Sequence, residues 1–265
     1  MLTNYHTHTI FSDGKHKAED MVLSAIKKGF NVLGFSDHAP ISYETWGMKD
    51  ETAYIAEIKR LKEKYKDKIE IVCGIEEDAY CFCDRTRYDY LLGSCHFFRK
   101  NGKYYAVDAS YESFKESMQA FSNNPILAAE NYYENFLGYL FNRKPDIIGH
   151  FDLLTKFDEN REFGFLDNPK YEKIAENYIK KACELGAIFE INTGAISRGY
   201  RTLPYPTKNL LYVLKKEDAK IMLTSDCHDK DYLDCYFNES RLMLKDIGYK
   251  KFYAFTKGEF KPFDL

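Results

Sequence analysis

Short apolar runs alternate along this chain with longer segments whose apolar residues recur every three or four positions. The runs at 2–6, 32–37, 70–76, 90–95, 146–150, 187–192 and 220–225 have the length and apolar content of strands buried on both faces. Between them, 18–28, 51–65, 111–121, 127–141, 171–185 and 208–215 carry helical spacing. Gly29 and Gly186 stand where two of these helices should stop, and Ser12-Asp13-Gly14 reads as a turn before the first. Strand-then-helix repetition predicts an α/β fold with a parallel sheet and helices packed outside it. No dinucleotide-binding fingerprint follows a strand, so a closed barrel is expected rather than an open doubly wound sheet.

Composition narrows this. The 265 residues are 45% hydrophobic, enough for a large core, and no Pro/Gly/Ser-rich linker divides them, so one domain spanning 1–265 is expected. The net charge is −3 and no basic block appears, which argues against a nucleic-acid partner and for a small substrate. The seven cysteines are scattered; only Cys81 and Cys83 are close, at a spacing unlike that of a zinc site. That usage, with no apolar stretch of about 20 residues, predicts a cytoplasmic protein with no membrane partner.

The candidate chemistry lies in the histidines. Of seven, His6, His8, His38, His96, His150 and His228 fall at or just past the C-terminal ends of predicted strands; His16, between two lysines, does not. In a parallel barrel those ends share one face. Glu76 ends the third strand, Asp226 stands two residues before His228, and Asp13 sits in the first turn. His6-x-His8 and Asp226-x-His228 each place two ligands on one side of an extended chain. Imidazole nitrogen with carboxylate oxygen suits Zn, Mn or Fe, and a carboxylate can bridge two ions. Asp37 should face away from His38. Arg198, Arg161 and Arg201 follow the later strands and are candidates to contact a phosphate group.

The motifs His-Thr-His-Thr-Ile-Phe-Ser-Asp-Gly, Phe-Ser-Asp-His, Gly-Ile-Glu, Gly-Ser-Cys-His-Phe, Gly-His-Phe-Asp and Ser-Asp-Cys-His occur in that order from residue 1 to about 230. Together they resemble the PHP (polymerase and histidinol phosphatase) superfamily, and within it the monofunctional histidinol-phosphate phosphatases. The resemblance implies a distorted (β/α)7 TIM-like barrel carrying three divalent metal ions (Mn, Fe or Zn). His6, His8, Glu76 and Asp226 would hold the first. Glu76 would bridge to the second, completed by His96 and His150. Asp13, His38 and His228 would hold the third.

The implied reaction is hydrolysis of L-histidinol phosphate to L-histidinol and phosphate, in histidine biosynthesis, by a metal-bridging hydroxide. Glu76, Asp226 and His228 would be catalytic, with either Asp226 or His228 protonating the leaving group, and Arg198 and Arg161 would bind phosphate. Two other readings share the ligand set: a nucleotide or oligonucleotide phosphoesterase, and a metal-stabilised binding module without catalysis.

Overall fold

The computed structural model describes residues 1–265. Seven parallel strands, Thr3–Asn4, Val32–Phe35, Glu70–Asp78, Tyr90–Ser94, Ile147–Ile148, Ile188–Asn192 and Ile221–Thr224, lie side by side in chain order. The sheet curls until its edges meet: Thr7 pairs with Cys227, His8 N donates to Cys227 O (2.9 Å) and Cys227 N to His6 O (3.0 Å). The barrel is therefore pinned shut just past the strand ends where the histidines lie. All seven strands are those expected from the apolar runs, and the chain has the α/β barrel fold.

Helices Ala18–Lys28, Glu51–Lys64, Tyr111–Gln119, Pro125–Arg143, Pro169–Cys183 and Lys208–Lys216 cover the outside. Gly29 ends the first at φ 79°, a left-handed turn that spares a side chain from strain. The fourth and fifth helices begin two residues earlier than the apolar spacing suggests. Asn124 and Asn168 cap them, accepting backbone N–H groups, and Pro125 and Pro169 occupy the first helical position, where no N–H is needed. No helix is long and apolar enough to cross a membrane.

Three elements lie outside the expected alternation: a hairpin of Phe97–Lys100 with Lys103–Ala106, a helix at Phe237–Ile247, and a C-terminal hairpin of Lys251–Thr256 with Glu259–Asp264. The last plugs the barrel. Phe252, Ala254 and Phe255 join Tyr5, Val32, Val72, Tyr90, Leu92, Ile147, Ile188 and Met222 in one buried cluster within the lumen. Tyr5 Oη donates to Phe255 O (2.7 Å), tying the plug to the first strand.

Tyr90 fills the lumen because two strands lack side chains there. Its hydroxyl lies 2.6 Å from Tyr5 O and 3.0 Å from Phe35 O. A Cβ on Gly74 would fall 2.2–2.5 Å from its ring, and one on Gly34 2.6 Å from its hydroxyl. Gly74→Ala should therefore overpack the lumen and cost about 1–3 kcal/mol, seen as a lower urea midpoint. Gly138→Ala, where an added methyl meets nothing within 4 Å, should instead stabilise its helix by up to about 1 kcal/mol.

Candidate metal centre

The barrel topology brings all six strand-end histidines to one place. Glu76 stands at its centre. Its Oε2 lies 3.2 Å from His6 Nε2, 3.5 Å from His8 Nε2 and 2.8 Å from His38 Nδ1; its Oε1 lies 3.2 Å from His150 Nε2 and 3.4 Å from His96 Nε2. Asp226 Oδ1 is 3.2 Å from His8 Nε2 and 3.5 Å from His6 Nε2. Asp13 meets His228 Nε2 at 3.1 Å through Oδ2, and His8 Nδ1 and His38 Nε2 at 3.6 Å through Oδ1.

The donor atoms suit metal ions better than one another. His6 Nε2, both His8 ring nitrogens, His150 Nδ1 and Glu76 Oε2 are buried without a hydrogen-bond partner. Buried polar atoms rarely stay orphaned. Four groups have ligand atoms within 4.8 Å of one another: His8 with Asp13, His38 and His228; His6 with His8 and Asp226; His6 with Glu76 and His150; His38 with Glu76 and His96. Two ligands on one ion, each bonded at roughly 2.1 Å, sit at most about 4.2 Å apart, inside that limit. The grouping overlaps the expected three-ion partition but differs from it: His6 also falls with His150, His8 also falls with Asp13, His38 and His228, and His38 also falls with His96. His38 touches Glu76 through Nδ1 and Asp13 through Nε2, so it lies between two of the groups instead of within one.

Surrounding side chains hold the rings in place. Glu190, projecting from the sixth strand, accepts from His6 Nδ1 (2.8 Å), Thr224 Oγ1 (2.8 Å) and Asn192 Nδ2 (2.9 Å), and also from the His150 backbone N–H. Asp78 lies 3.2 Å from His96 Nδ1 and accepts from the His96 N–H (3.0 Å). A carboxylate behind a ligating imidazole fixes its tautomer and raises its basicity. Asp37 does face away from the cluster. It accepts from Thr9 N (2.8 Å), Ser12 Oγ (2.7 Å) and Ser12 N (3.1 Å), and so shapes the turn that carries Asp13. His16 lies outside the cluster and faces Asp229 at 3.2 Å.

Asp226 reaches the cluster by a local distortion. Its φ is 46°, in the left-handed region that short polar side chains tolerate. A Cβ on Gly194 would lie 2.8 Å from Asp226 Cβ and 3.0 Å from Arg198 Nη2, so that glycine leaves room for both. Arg198 Nη2 donates to Asp226 Oδ2 (2.9 Å) and Nη1 to Asp226 O (2.9 Å).

Charge in the cluster is tightly coupled. Burial opposes ionisation of Glu76, but the His6, His38 and His96 imidazoles outweigh it and hold its carboxyl well below the ordinary range. Burial likewise opposes ionisation of Asp226, and Arg198 with His6 overrides it. The reverse holds for the rings. Burial disfavours the imidazolium of His6, yet Glu190, Glu76 and Asp226 push its pKa up; Glu76 and Asp13 do the same for His38, and Glu76 and Asp78 for His96. His8, deepest among other imidazoles, is pushed down to about 3 by burial and by His228 and His38.

The cluster opens into a cleft of about 370 Å³ whose walls include Asp13, His38, His96, Asp226, His228 and Arg198. Arg198 is thus where the sequence reading put it. Arg161 is not: it lines a separate hollow with Leu203 and Lys208, and its Nε is paired with Asp167 (2.6 Å), because Asp158 and Asp167 hold its loop away from the barrel mouth. Arg201 is buried against Thr155 and Glu159 and lines the same hollow. The cation that does share the cleft with Arg198 is Lys156, which is not among the arginines expected from the sequence. Its position six residues after His150, in the loop leaving the fifth strand, was the available signal. Lys156 is buried, donates to Asp108 O (2.7 Å), and burial lowers its pKa.

A profile of the PHP domain matches residues 4–194. The chain is 28% identical over 264 residues to a probable histidinol-phosphatase of Schizosaccharomyces pombe, covering 91% of this chain and 85% of that one. It is 26% identical over 250 residues to a histidinol-phosphatase of Bacillus subtilis, covering 84% and 92%. Its fold matches the crystal structure of a histidinol phosphate phosphatase from Lactococcus lactis, complexed with zinc, L-histidinol and phosphate. The TM-score is 0.67 at 22% identity, over 98% of both chains.

Two outcomes are expected. Metal ions bind deprotonated imidazole, and His6, His38 and His96 bind protons more tightly than ordinary histidines. Metal loading should therefore release protons, and affinity should fall as pH drops from 8 to 6; calorimetry in buffers of different ionisation enthalpy reads both, and pH-independent affinity would contradict the assignment. Glu190→Gln should weaken metal binding about 10–100-fold by chelator competition while the fold persists.

Proposed function

We propose, from the premise that the chain belongs to the PHP domain family, that it hydrolyses L-histidinol phosphate to L-histidinol and phosphate. The observation that carries this is the convergence of six imidazoles with the carboxylates of Glu76, Asp226 and Asp13 beside an open cleft lined by Arg198 and Lys156. The relatives named above, matched over most of their length, supply the substrate.

His6, His8, Glu76 and Asp226 would hold one divalent ion; Glu76, His96 and His150 a second; and Asp13, His38 and His228 a third, with Zn, Mn or Fe suited to these donors. When bound, such ions supply charge that offsets the phosphoryl oxygens and lower the pKa of a coordinated water.

The chain's own residues do the remaining work. Arg198 and Lys156 add two cations to the cleft wall, where the phosphoryl oxygens of a monoester dianion need them. Arg198 also grips Asp226, so one side chain both holds a ligand and faces substrate. Asp226 and His228 both line the cleft, and either would protonate the leaving alkoxide. A polynucleotide substrate would want a basic track beside the cleft; Glu44 and Asp108 stand there instead. A biosynthetic role of this kind places the chain in the cytoplasm.

Steady-state assay against a panel of phosphate monoesters tests the reading. Histidinol phosphate should lead, exhaustive chelation should abolish turnover, and Zn, Mn or Fe should restore it. A different ester favoured by orders of magnitude, or turnover indifferent to chelation, would refute it. Arg198→Ala should lower kcat/KM about 100-fold or more with metal content retained.

A further inference from the structure

The cleft brings three kinds of group together. Arg198 and Lys156 line it as cations, Asp108 lies beside Lys156, and Trp46, Phe97 and Glu44 add an aromatic wall and a second carboxylate. Trp46 is the only tryptophan in the chain. Its ring stands edge-on to His38 (centroids 4.3 Å apart) and to His96 (5.4 Å), and lies nearly parallel to Phe97 (interplanar angle 10°, 6.2 Å). It therefore borders the cluster directly.

The surrounding segments fix that position. Trp46 sits in the loop that leaves the second strand, and Met48 N donates back to His38 O (3.1 Å), which folds the loop onto the cluster. Gly47 permits this: a Cβ there would lie 2.8 Å from both Ala39 O and Ile41 N. Tyr43 of the same loop stacks on Tyr104 of the hairpin 97–106 (centroids 4.4 Å apart, 8° between planes) and donates to Asp78 Oδ1 (3.1 Å). Two segments outside the barrel are thus zipped together, and the indole lines the cleft beside the exposed Glu44. Asp108 already faces Lys156 at 3.5 Å; Glu44 forms no ion pair within the chain.

We infer that Trp46 and Glu44 form the subsite that selects the leaving group, the indole packing on the imidazole ring and the Glu44 carboxylate pairing with the amine. The inference rests on the histidinol phosphate reading and adds to it the residues that discriminate this ester from others. The lining fits the substrate. A molecule with a dianion at one end and an aromatic ammonium at the other meets, in one cleft, two cations, an aromatic wall and a carboxylate that pairs with no cation of the chain. Ring contacts and charge-assisted hydrogen bonds are the interactions that separate such a molecule from a plain phosphate ester.

The zinc-loaded wild type, Trp46→Leu and Glu44→Gln are compared on L-histidinol phosphate and on glycerol phosphate, which lacks both ring and amine. The ratio of the two kcat/KM values should fall about tenfold or more in each variant, chiefly through KM for histidinol phosphate. A second readout needs no turnover. L-Histidinol should change the fluorescence of the single tryptophan saturably, and Glu44→Gln should need about tenfold more of it. Glu44→Gln, a conservative change at an exposed position, keeps the test valid if Trp46→Leu folds poorly. A wild type that does not prefer histidinol phosphate defeats the functional reading. A wild type that does prefer it, with both variants keeping the ratio within about twofold, defeats the subsite alone.

Discussion

The structure depends on one buried carboxylate. Glu76 sits at the end of the third strand, inside a ring of imidazoles from His6, His8, His38, His96 and His150, with no exposed surface on its side chain. An isolated carboxylate there would cost several kcal/mol to desolvate. The surrounding rings offset that only if strands from the whole length of the chain end at the same height, so the barrel's register and the cluster's charge balance specify each other. Tyr90 in its glycine-lined slot, the Thr7–Cys227 pairing and the Glu190 hydrogen bonds all keep those strand ends level.

The two mouths of the barrel divide the work. At one, the C-terminal hairpin supplies Phe252 and Phe255 to an apolar plug. At the other, the same strands turn polar within one or two residues: Phe35 gives way to Ser36, Asp37 and His38, and Ile148 to Gly149 and His150. Stability and chemistry are thus placed at opposite ends of the same short strands, and the apolar end holds the polar end rigid.

Much of this was legible in the chain, and what was not had physical reasons. Buried parallel strands announce themselves as apolar runs because both of their faces are covered; the histidines at the ends of five of the seven could be assigned to a shared face from the sequence alone. The hairpins gave no such signal. Lys251–Thr256 buries only three of its six residues and its partner strand buries none fully, so neither reads as a core strand. Glu190 and Asp78 lie within or at the end of strands, where a carboxylate shows nothing of which imidazole it will meet. Arg161 was misplaced because proximity to a strand end in sequence does not fix where a long loop carries a side chain. Asp158 binds four backbone N–H groups from Phe163 to Leu166 and turns that loop away from the cleft.

The plug also sets the order of events during synthesis. All seven barrel strands leave the ribosome before Phe252 and Phe255 do, so a nascent barrel has its apolar lumen open to water at one mouth until that hairpin arrives. During that interval Tyr5, Val32, Val72 and Met222 are available to any other apolar surface, the situation in which incomplete chains aggregate or recruit chaperones. The hairpin Lys251–Thr256/Glu259–Asp264 forms from neighbouring residues and can assemble quickly once made. Its docking links Tyr5 to Phe255, 250 residues away in sequence, so the first strand is locked in place only after the hairpin has been made.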